Sequence, residues 1–181
     1  MVEPVPTALE AGKRNFSLNH AEGTFIHAAI GSEAKNEAPV ELWRDMIVSV
    51  PTVSVDSLMK SRDLKQIAIL HADIQGHEVV MLTGASGHLR EQLIDWLFIS
   101  THGENIHQRC LQILRRFGYS IAAEHSPSES YSIDGLVVAS RSPGFQLRIS
   151  KRRSVASWKA KVRAKIRVNI LEPLGLKPQT H

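Results

Sequence analysis

A short segment near the middle of the chain constrains the fold most, because it predicts a strand, a tight turn and a helix in direct succession. The apolar run Ile67–Leu70 predicts a buried strand with Asp73 at its carboxyl end. Gly76 favours a turn there, since glycine adopts backbone angles that other residues resist, and residues 77–84 show a helical apolar face. In open α/β sheets, ligands bind beyond the carboxyl ends of the strands. Asp73 is therefore the first candidate for a functional residue.

Strand and helix patterns alternate along the rest of the chain, which predicts an α/β fold with a mostly parallel sheet and helices on both faces. The final two strands are joined by a polar loop, and a parallel crossover normally needs a dozen or more residues. We therefore expect an antiparallel hairpin at the end. Strands are predicted at 1–5, 24–30, 51–55, 67–73, 94–100, 119–123 and 133–139, helices at 7–18, 77–84 and 105–117, and a polar loop at 32–39.

Local residue types add three expectations about the ends and edges of these elements. Thr7 is a possible N-cap of the first helix, and Asp56 a possible N-cap of a short helix that carries Leu58 and Met59. Pro51 predicts that its strand lies at a sheet edge, where a missing N–H group is tolerated.

The charge is divided unevenly, which predicts a domain at 1–144 and a basic extension at 145–181. Residues 146–181 hold ten Lys/Arg and one acid, a charge of +9, whereas residues 1–145 carry −5. The single cysteine, Cys110, fits a reducing, cytoplasmic compartment. The chain shows neither a signal-peptide pattern nor an apolar run of membrane-spanning length.

Several sequence blocks resemble those of FkbM-type methyltransferases, and they occur in the order found in that family. The central block runs from Ile69 to Ala85 and contains Asp73-Ile-Gln-Gly-His-Glu78. The resemblance extends over residues 1–141. The other blocks are Val2-Glu3-Pro4, the helix with Asn15 and Asn19, Ala28-Ala-Ile-Gly31, Val53-Ser-Val-Asp56-Ser-Leu58, Phe117-Gly-Tyr119 and Asp134-Gly-Leu-Val-Val138.

The resemblance implies a Rossmann-like class I fold and transfer of a methyl group from S-adenosylmethionine to an oxygen of a sugar or small natural product. Glu3, Asp73 and Gln75 then correspond to cofactor-binding residues. Asp73 and His102 are the catalytic candidates, and no metal is expected in this site. Gln75, Glu78 and Glu104 are candidates for contacts with a small-molecule or glycan acceptor.

The chain departs from the family pattern in three places. His71 occupies the position often held by lysine, and Gln75 stands where glutamate is frequent. The family's first strand and its glycine-rich turn, which wraps the methionine end of the cofactor, have no counterpart before Glu3. We therefore expect a sheet that is incomplete at its N-terminal side, with the strands at Glu3 and 24–30 lacking their central neighbour, and activity that is uncertain for this chain alone.

Each candidate residue also has a purely structural interpretation. Asp73 can cap the following helix, Glu78 suits the first helical turn because of the helix dipole, and His102 fits an exposed loop. Glu3 fits the frayed end of a strand. Gly76 is expected to serve the turn alone.

Two other function classes remain open at this point. The first is a metal-binding, hydrolase-like site, since imidazoles and carboxylates suit zinc. Its ligands would come from His71, Asp73, His77, His102, Glu104 and His107. The second uses residues 151–167, a predicted basic amphipathic helix that suits an anionic membrane surface or RNA and equally suits packing on its own domain. We expect no binding to DNA.

Overall fold

The computed structural model describes residues 1–41, 47–130, 132–145 and 147. The helices are α1 (Pro6–Leu18), α2 (Val55–Ser61), α3 (Glu78–Thr83), α4 (Ser86–Arg90) and α5 (Glu104–Arg116). The strands are β1 (Val2–Glu3), β2 (Ile26–His27), β3 (Ala29–Ile30), β4 (Lys35–Glu41), β5 (Ile47–Val53), β6 (Ile67–Ala72), β7 (Ile94–Thr101), β8 (Ser120–His125) and β9 (Gly135–Ser140).

The largest sheet has the strand order β6-β7-β9-β8. The pair β6 and β7 is parallel, whereas β9 runs antiparallel to both β7 and β8. The predicted antiparallel hairpin at the end of the sheet is confirmed. Because β9 runs opposite to β7, Gly135 at its start pairs with Thr101 at the end of β7. This register brings the residue before β9 to the same sheet edge as the residue after β7.

The main hydrophobic core lies between this sheet and helices α2 to α5. Leu97 and Ile99 of β7 are completely buried, as is Leu114 of α5. Burial of a leucine or isoleucine side chain stabilises the folded state by about 1.5–3 kcal/mol. Further members of this core are Val55, Met59, Met81, Leu82, Leu89, Ile94, Cys110, Val137 and Ala139.

Two smaller sheets form the N-terminal part of the fold. Strands β1 and β2 pair in parallel, and β5 lies between β3 and β4. Within the described ranges, β6 pairs only with β7 and β1 only with β2, so no ladder of hydrogen bonds joins β1 to β6. Ile69 of β6 is accordingly 62% exposed.

The sheets are mixed rather than mostly parallel, which corrects the expectation from sequence. Part of the difference is the antiparallel hairpin of β4 and β5. Strand β4 overlaps residues 32–39, which were expected to form a loop. The expectation that Pro51 marks an edge strand was also wrong, because β5 is central in its sheet. The ladder with β4 shifts register between Lys35 and Ala38, opposite Pro51, so the missing N–H group falls at an irregularity.

Both predicted N-caps were wrong, and in each case a neighbouring residue begins the helix. Helix α1 has Val5 at its N-cap and Pro6 in its first turn, where proline's missing N–H group costs no hydrogen bond. Helix α2 is capped by Ser54, whose hydroxyl accepts a hydrogen bond from the backbone N–H group of Ser57. Asp56 instead accepts hydrogen bonds from the backbone N–H groups of residues 87 and 88 in α4.

The predicted basic helix at 151–167 lies outside the described residues, so its role stays a prediction. In the part of the chain that the structure describes, no helix combines the length and the apolarity needed to cross a membrane.

Candidate active site

The turn after β6 reverses the chain through two residues in the left-handed backbone region. Gln75 has φ +51° and Gly76 has φ +96°. The prediction that Gly76 serves a tight turn is confirmed. For Gln75, which has a Cβ atom, this conformation costs roughly 1–2 kcal/mol. Such strain collects at functional sites, and here it turns the backbone immediately after Asp73.

A cavity of about 250 Å³ lies beside this turn, bounded by β1, β3 and the segment after β6. Three predicted cofactor-binding residues, Glu3, Asp73 and Gln75, line it together. The remaining wall is mainly apolar. It consists of Val2, Pro4, Val5, Ala29, Ile30, Val40, Ile74 and His77.

Glu3 reaches the cavity from the end of β1. Its Oε1 atom accepts a hydrogen bond of 2.8 Å from the backbone N–H group of Val5, at the start of α1. This contact fixes the orientation of the carboxylate. Its Oε2 atom is available to accept hydrogen bonds from a ligand, since a carboxylate oxygen has two lone pairs and no donor.

His102 follows β7 directly, and three carboxyl groups surround its ring. Its Nδ1 atom lies 2.5 Å from Oε1 of Glu78. Its Nε2 atom lies 3.3 Å from Oδ1 of Asp73 and 3.5 Å from Oδ1 of Asp134. Neither of these last contacts has hydrogen-bond geometry, so Nε2 is buried without a hydrogen-bond partner. The expected proximity of Asp73 and His102 is therefore present, because β6 and β7 are parallel neighbours.

Glu78 is placed differently from its expected role as an acceptor contact. Its side chain is 0% exposed, and its Oε1 atom also accepts a hydrogen bond of 3.2 Å from the backbone N–H group of Gly76. A buried carboxyl group does not reach a ligand without rearrangement of the turn, so the direct role in acceptor binding does not fit this geometry. Glu78 instead joins the turn after β6 to the histidine after β7.

Burial raises the pKa of the Cys110 thiol to about 12, and the negative charge of Glu78 adds to this effect. Cys110 is completely buried in α5. The carboxyl group of Glu78 and this thiol therefore share the interior beneath the site.

Glu104 and His107 lie away from the cluster. Glu104 is exposed at the start of α5 and accepts a hydrogen bond from Gln108, so the structure does not bring it to the predicted acceptor site. His107 is buried, with Nδ1 2.9 Å from the hydroxyl of Thr101 and Nε2 3.0 Å from Oε2 of Glu124. These contacts secure the end of β7 next to His102.

The alternative metal site receives no support from this arrangement. No cluster of three or more histidine, cysteine, aspartate or glutamate side chains within the described ranges has a geometry that could hold a metal ion. His107, one of the proposed ligands, is occupied by Thr101 and Glu124.

Asp134 is the site residue that sequence reasoning did not assign. It precedes β9, and the pairing of Gly135 with Thr101 brings it beside His102. The sequence did contain a signal, since an antiparallel final strand must begin at the edge where β7 ends. An acid immediately before that strand could therefore have been placed at the site.

Comparisons with known proteins agree with this architecture. The family model of the methyltransferase FkbM domain matches residues 1–121. A crystal structure of methyltransferase FkbM from Methylobacillus flagellatus KT superposes with a TM-score of 0.54 and 20% sequence identity. This chain spans 35% of that protein's length, and 77% of this chain is covered, so the likeness shows a shared fold. No curated protein sequence matches the chain. Because the family model matches more than half of its residues, the chain belongs to the FkbM methyltransferase domain family.

Proposed function

We propose that the chain binds S-adenosylmethionine in the cavity beside the β6 turn and transfers its methyl group to a hydroxyl oxygen of a sugar or other small natural product. The observation that carries this proposal is the convergence of Glu3, Asp73 and Gln75 on one cavity in a chain of this family. Composition alone would not favour this reaction over any other.

The chemistry of the cavity suits a sulfonium nucleoside. Oε2 of Glu3 can accept hydrogen bonds from ribose hydroxyls, and the apolar wall around Ile30 and Val40 suits the face of an adenine ring. Asp73 and Glu3 give the cavity a negative character that complements a sulfonium cation. The amide of Gln75, at the cavity rim, supplies both a donor and an acceptor.

The cofactor supplies an electrophilic methyl group whose S–C bond electrons remain on sulfur after transfer. Asp73 holds the acceptor hydroxyl, and such positioning contributes much of the rate of an in-line displacement. As the new O–C bond forms, the hydroxyl proton passes to the Asp73 carboxylate, which lines the cavity, and from there to the buried Nε2 of His102, which lies 3.3 Å from that carboxylate and has no competing hydrogen bond. The products are a methyl ether, a thioether and a protonated imidazole.

Transfer of tritium from [methyl-³H]S-adenosylmethionine to a panel of methyl glycosides tests this reaction on the full chain. We expect labelled methyl ether with at least one glycoside, and a rate that falls about 10²–10⁴-fold in His102→Asn, the range expected for a general base. A panel that stays unlabelled, or a His102→Asn variant as fast as the wild type, would contradict the proposal.

The compartment is a further part of the proposal. Cys110 is free and buried, which is compatible with a reducing environment. We therefore propose that the reaction takes place in the cytoplasm.

A further inference from the structure

The carboxyl group of Glu78 is buried, although Glu78 is the first residue of helix α3. An acid in a first helical turn is favoured by the dipole while it remains in water. Glu78 is instead 0% exposed, and burial of a carboxyl group is costly unless it is hydrogen-bonded. Its contacts are Gly76 and His102, which lie on the two loops that form the site. The buried carboxyl group of Glu78 therefore links the two loops.

The hydrogen bonds of Glu78 determine which nitrogen of His102 carries a proton. The backbone N–H group of Gly76 can only donate, so Oε1 of Glu78 acts as an acceptor. The same oxygen lies 2.5 Å from Nδ1 of His102, and because an ionised carboxylate can only accept, Nδ1 is the donor to it. In the neutral imidazole one nitrogen donates and the other accepts. In a neutral His102, Nε2 is then the unprotonated nitrogen, and it lies on the side of Asp73 and Asp134.

We propose that Glu78 is a positioning residue that fixes the ring and tautomer of His102, so that Nε2 accepts a proton between Asp73 and Asp134. This inference rests on the proposed function for its catalytic meaning, but the Glu78–His102 pair can be tested without the reaction. The arrangement follows the logic of a carboxylate that orients a histidine base.

The surroundings of His102 hold the ring in the same orientation. Thr101, the preceding residue, is held by the buried His107, and Gly103, the following residue, has φ +127°. The ionisable groups that face the pair come from three places: Asp73 after β6, Asp134 before β9 and Cys110 of α5. Asp134 is 30% exposed and Asp73 is 50% exposed, so both acids beside Nε2 can contact an acceptor directly.

Nuclear magnetic resonance of the full chain labelled with ¹⁵N-histidine tests the pair. The chain has nine histidines, and loss of one set of signals in His102→Asn assigns that residue. We expect a far-downfield Nδ1 proton on His102 that exchanges slowly with solvent. In Glu78→Gln, a change that preserves shape, this signal should move upfield or disappear. In the exposed control Glu91→Gln it should remain.

Kinetics and cofactor binding distinguish the positioning role from a structural one. With a glycoside that the wild type methylates, Glu78→Gln should lower kcat by about 10²-fold while the Kd for S-adenosylhomocysteine changes by less than about twofold. A wild-type His102 that is protonated on Nε2 overturns the inference, as does a folded Glu78→Gln variant with unchanged kcat. If the wild type binds no S-adenosylhomocysteine, the proposed function fails, and the histidine spectra still decide whether the pair exists.

Discussion

Replacement of Gly84 by alanine has two opposing effects on the free energy of unfolding. The distances around Gly84 show which effect is larger. Gly84 ends α3 with φ −73° and ψ −4°, angles that alanine adopts without strain. A Gly→Ala change at such a position stabilises a protein by about 0.4–1 kcal/mol through the unfolded state. A Cβ atom on Gly84 would however lie 2.3 Å from the carbonyl oxygen of Gly31 and 2.9 Å from Cβ of Ser54.

The cost of this close contact is larger than the entropic gain. The nearest atom, the carbonyl oxygen of Gly31, belongs to the backbone and cannot turn away as a flexible side chain could. Contacts of this kind below 3.0 Å essentially do not occur, so α3 or the β3 loop must move by several tenths of an ångström. Overpacking in a well-packed core costs about 1–3 kcal/mol, so the net loss should be about 1–2 kcal/mol. In a chain of this length, that corresponds to a fall in Tm of roughly 2–8 °C.

Thermal unfolding followed by circular dichroism measures this change. The matched control is Gly23→Ala, in which the three atoms nearest to the new Cβ atom belong to the ring of Phe16, a partly exposed side chain, and not to the backbone. The control should melt close to the wild type. A Gly84→Ala variant with an equal or higher Tm would refute the reasoning about backbone contact.

Three further predictions concern charge and hydrogen bonding. Cys110 should resist thiol reagents at pH 8 in the folded chain, because its pKa is raised to about 12. The thiol binds its proton more tightly in the folded chain than in the unfolded chain. Its contribution to the free energy of unfolding is therefore complete below pH 9 and falls by about 1.4 kcal/mol per pH unit above it. Urea titrations should show that this dependence of the free energy of unfolding on pH is reduced in Cys110→Ala. Glu3→Gln should weaken binding of S-adenosylhomocysteine about tenfold by calorimetry, since hydrogen bonds to charged groups contribute about 1.5–3 kcal/mol, whereas the exposed Glu10→Gln should not. Asp56→Ala should lower the free energy of unfolding in urea by about 2 kcal/mol or more, because three hydrogen bonds to α4 are lost; an unchanged midpoint would contradict this.

The sequence predicted the central strand–turn–helix and the final hairpin because their signals are local. Ile67–Leu70 leads to an acid and a turn glycine, and residues 105–117 repeat apolar positions at helical spacing. Both α5 and the strand pair β8 and β9 formed where these patterns placed them. The prediction of a loop at 32–39 was wrong because β4 is an edge strand whose polar side chains face solvent. Its pairing with β5 is a tertiary contact, and no local sequence pattern predicts it.

The candidate site shows the same division between local and long-range information. Asp73 and His102 were found because both follow apolar strands directly, and parallel neighbours end at the same edge. The burial of Glu78 was not foreseeable, because a first-turn acid is normally exposed. Its exposure depends on how closely α3 approaches the loop after β7, which is a tertiary contact between Glu78 and His102.

Isothermal titration of the full chain with S-adenosylhomocysteine tests the central claim most directly, since the cavity of Glu3, Asp73 and Gln75 must hold a nucleoside for any methyl transfer to follow. We predict saturable binding at one site with a Kd well below about 1 mM, weakened by Asp73→Asn. Absence of saturable heat, or equal affinity in Asp73→Asn, would contradict the assignment of this cavity.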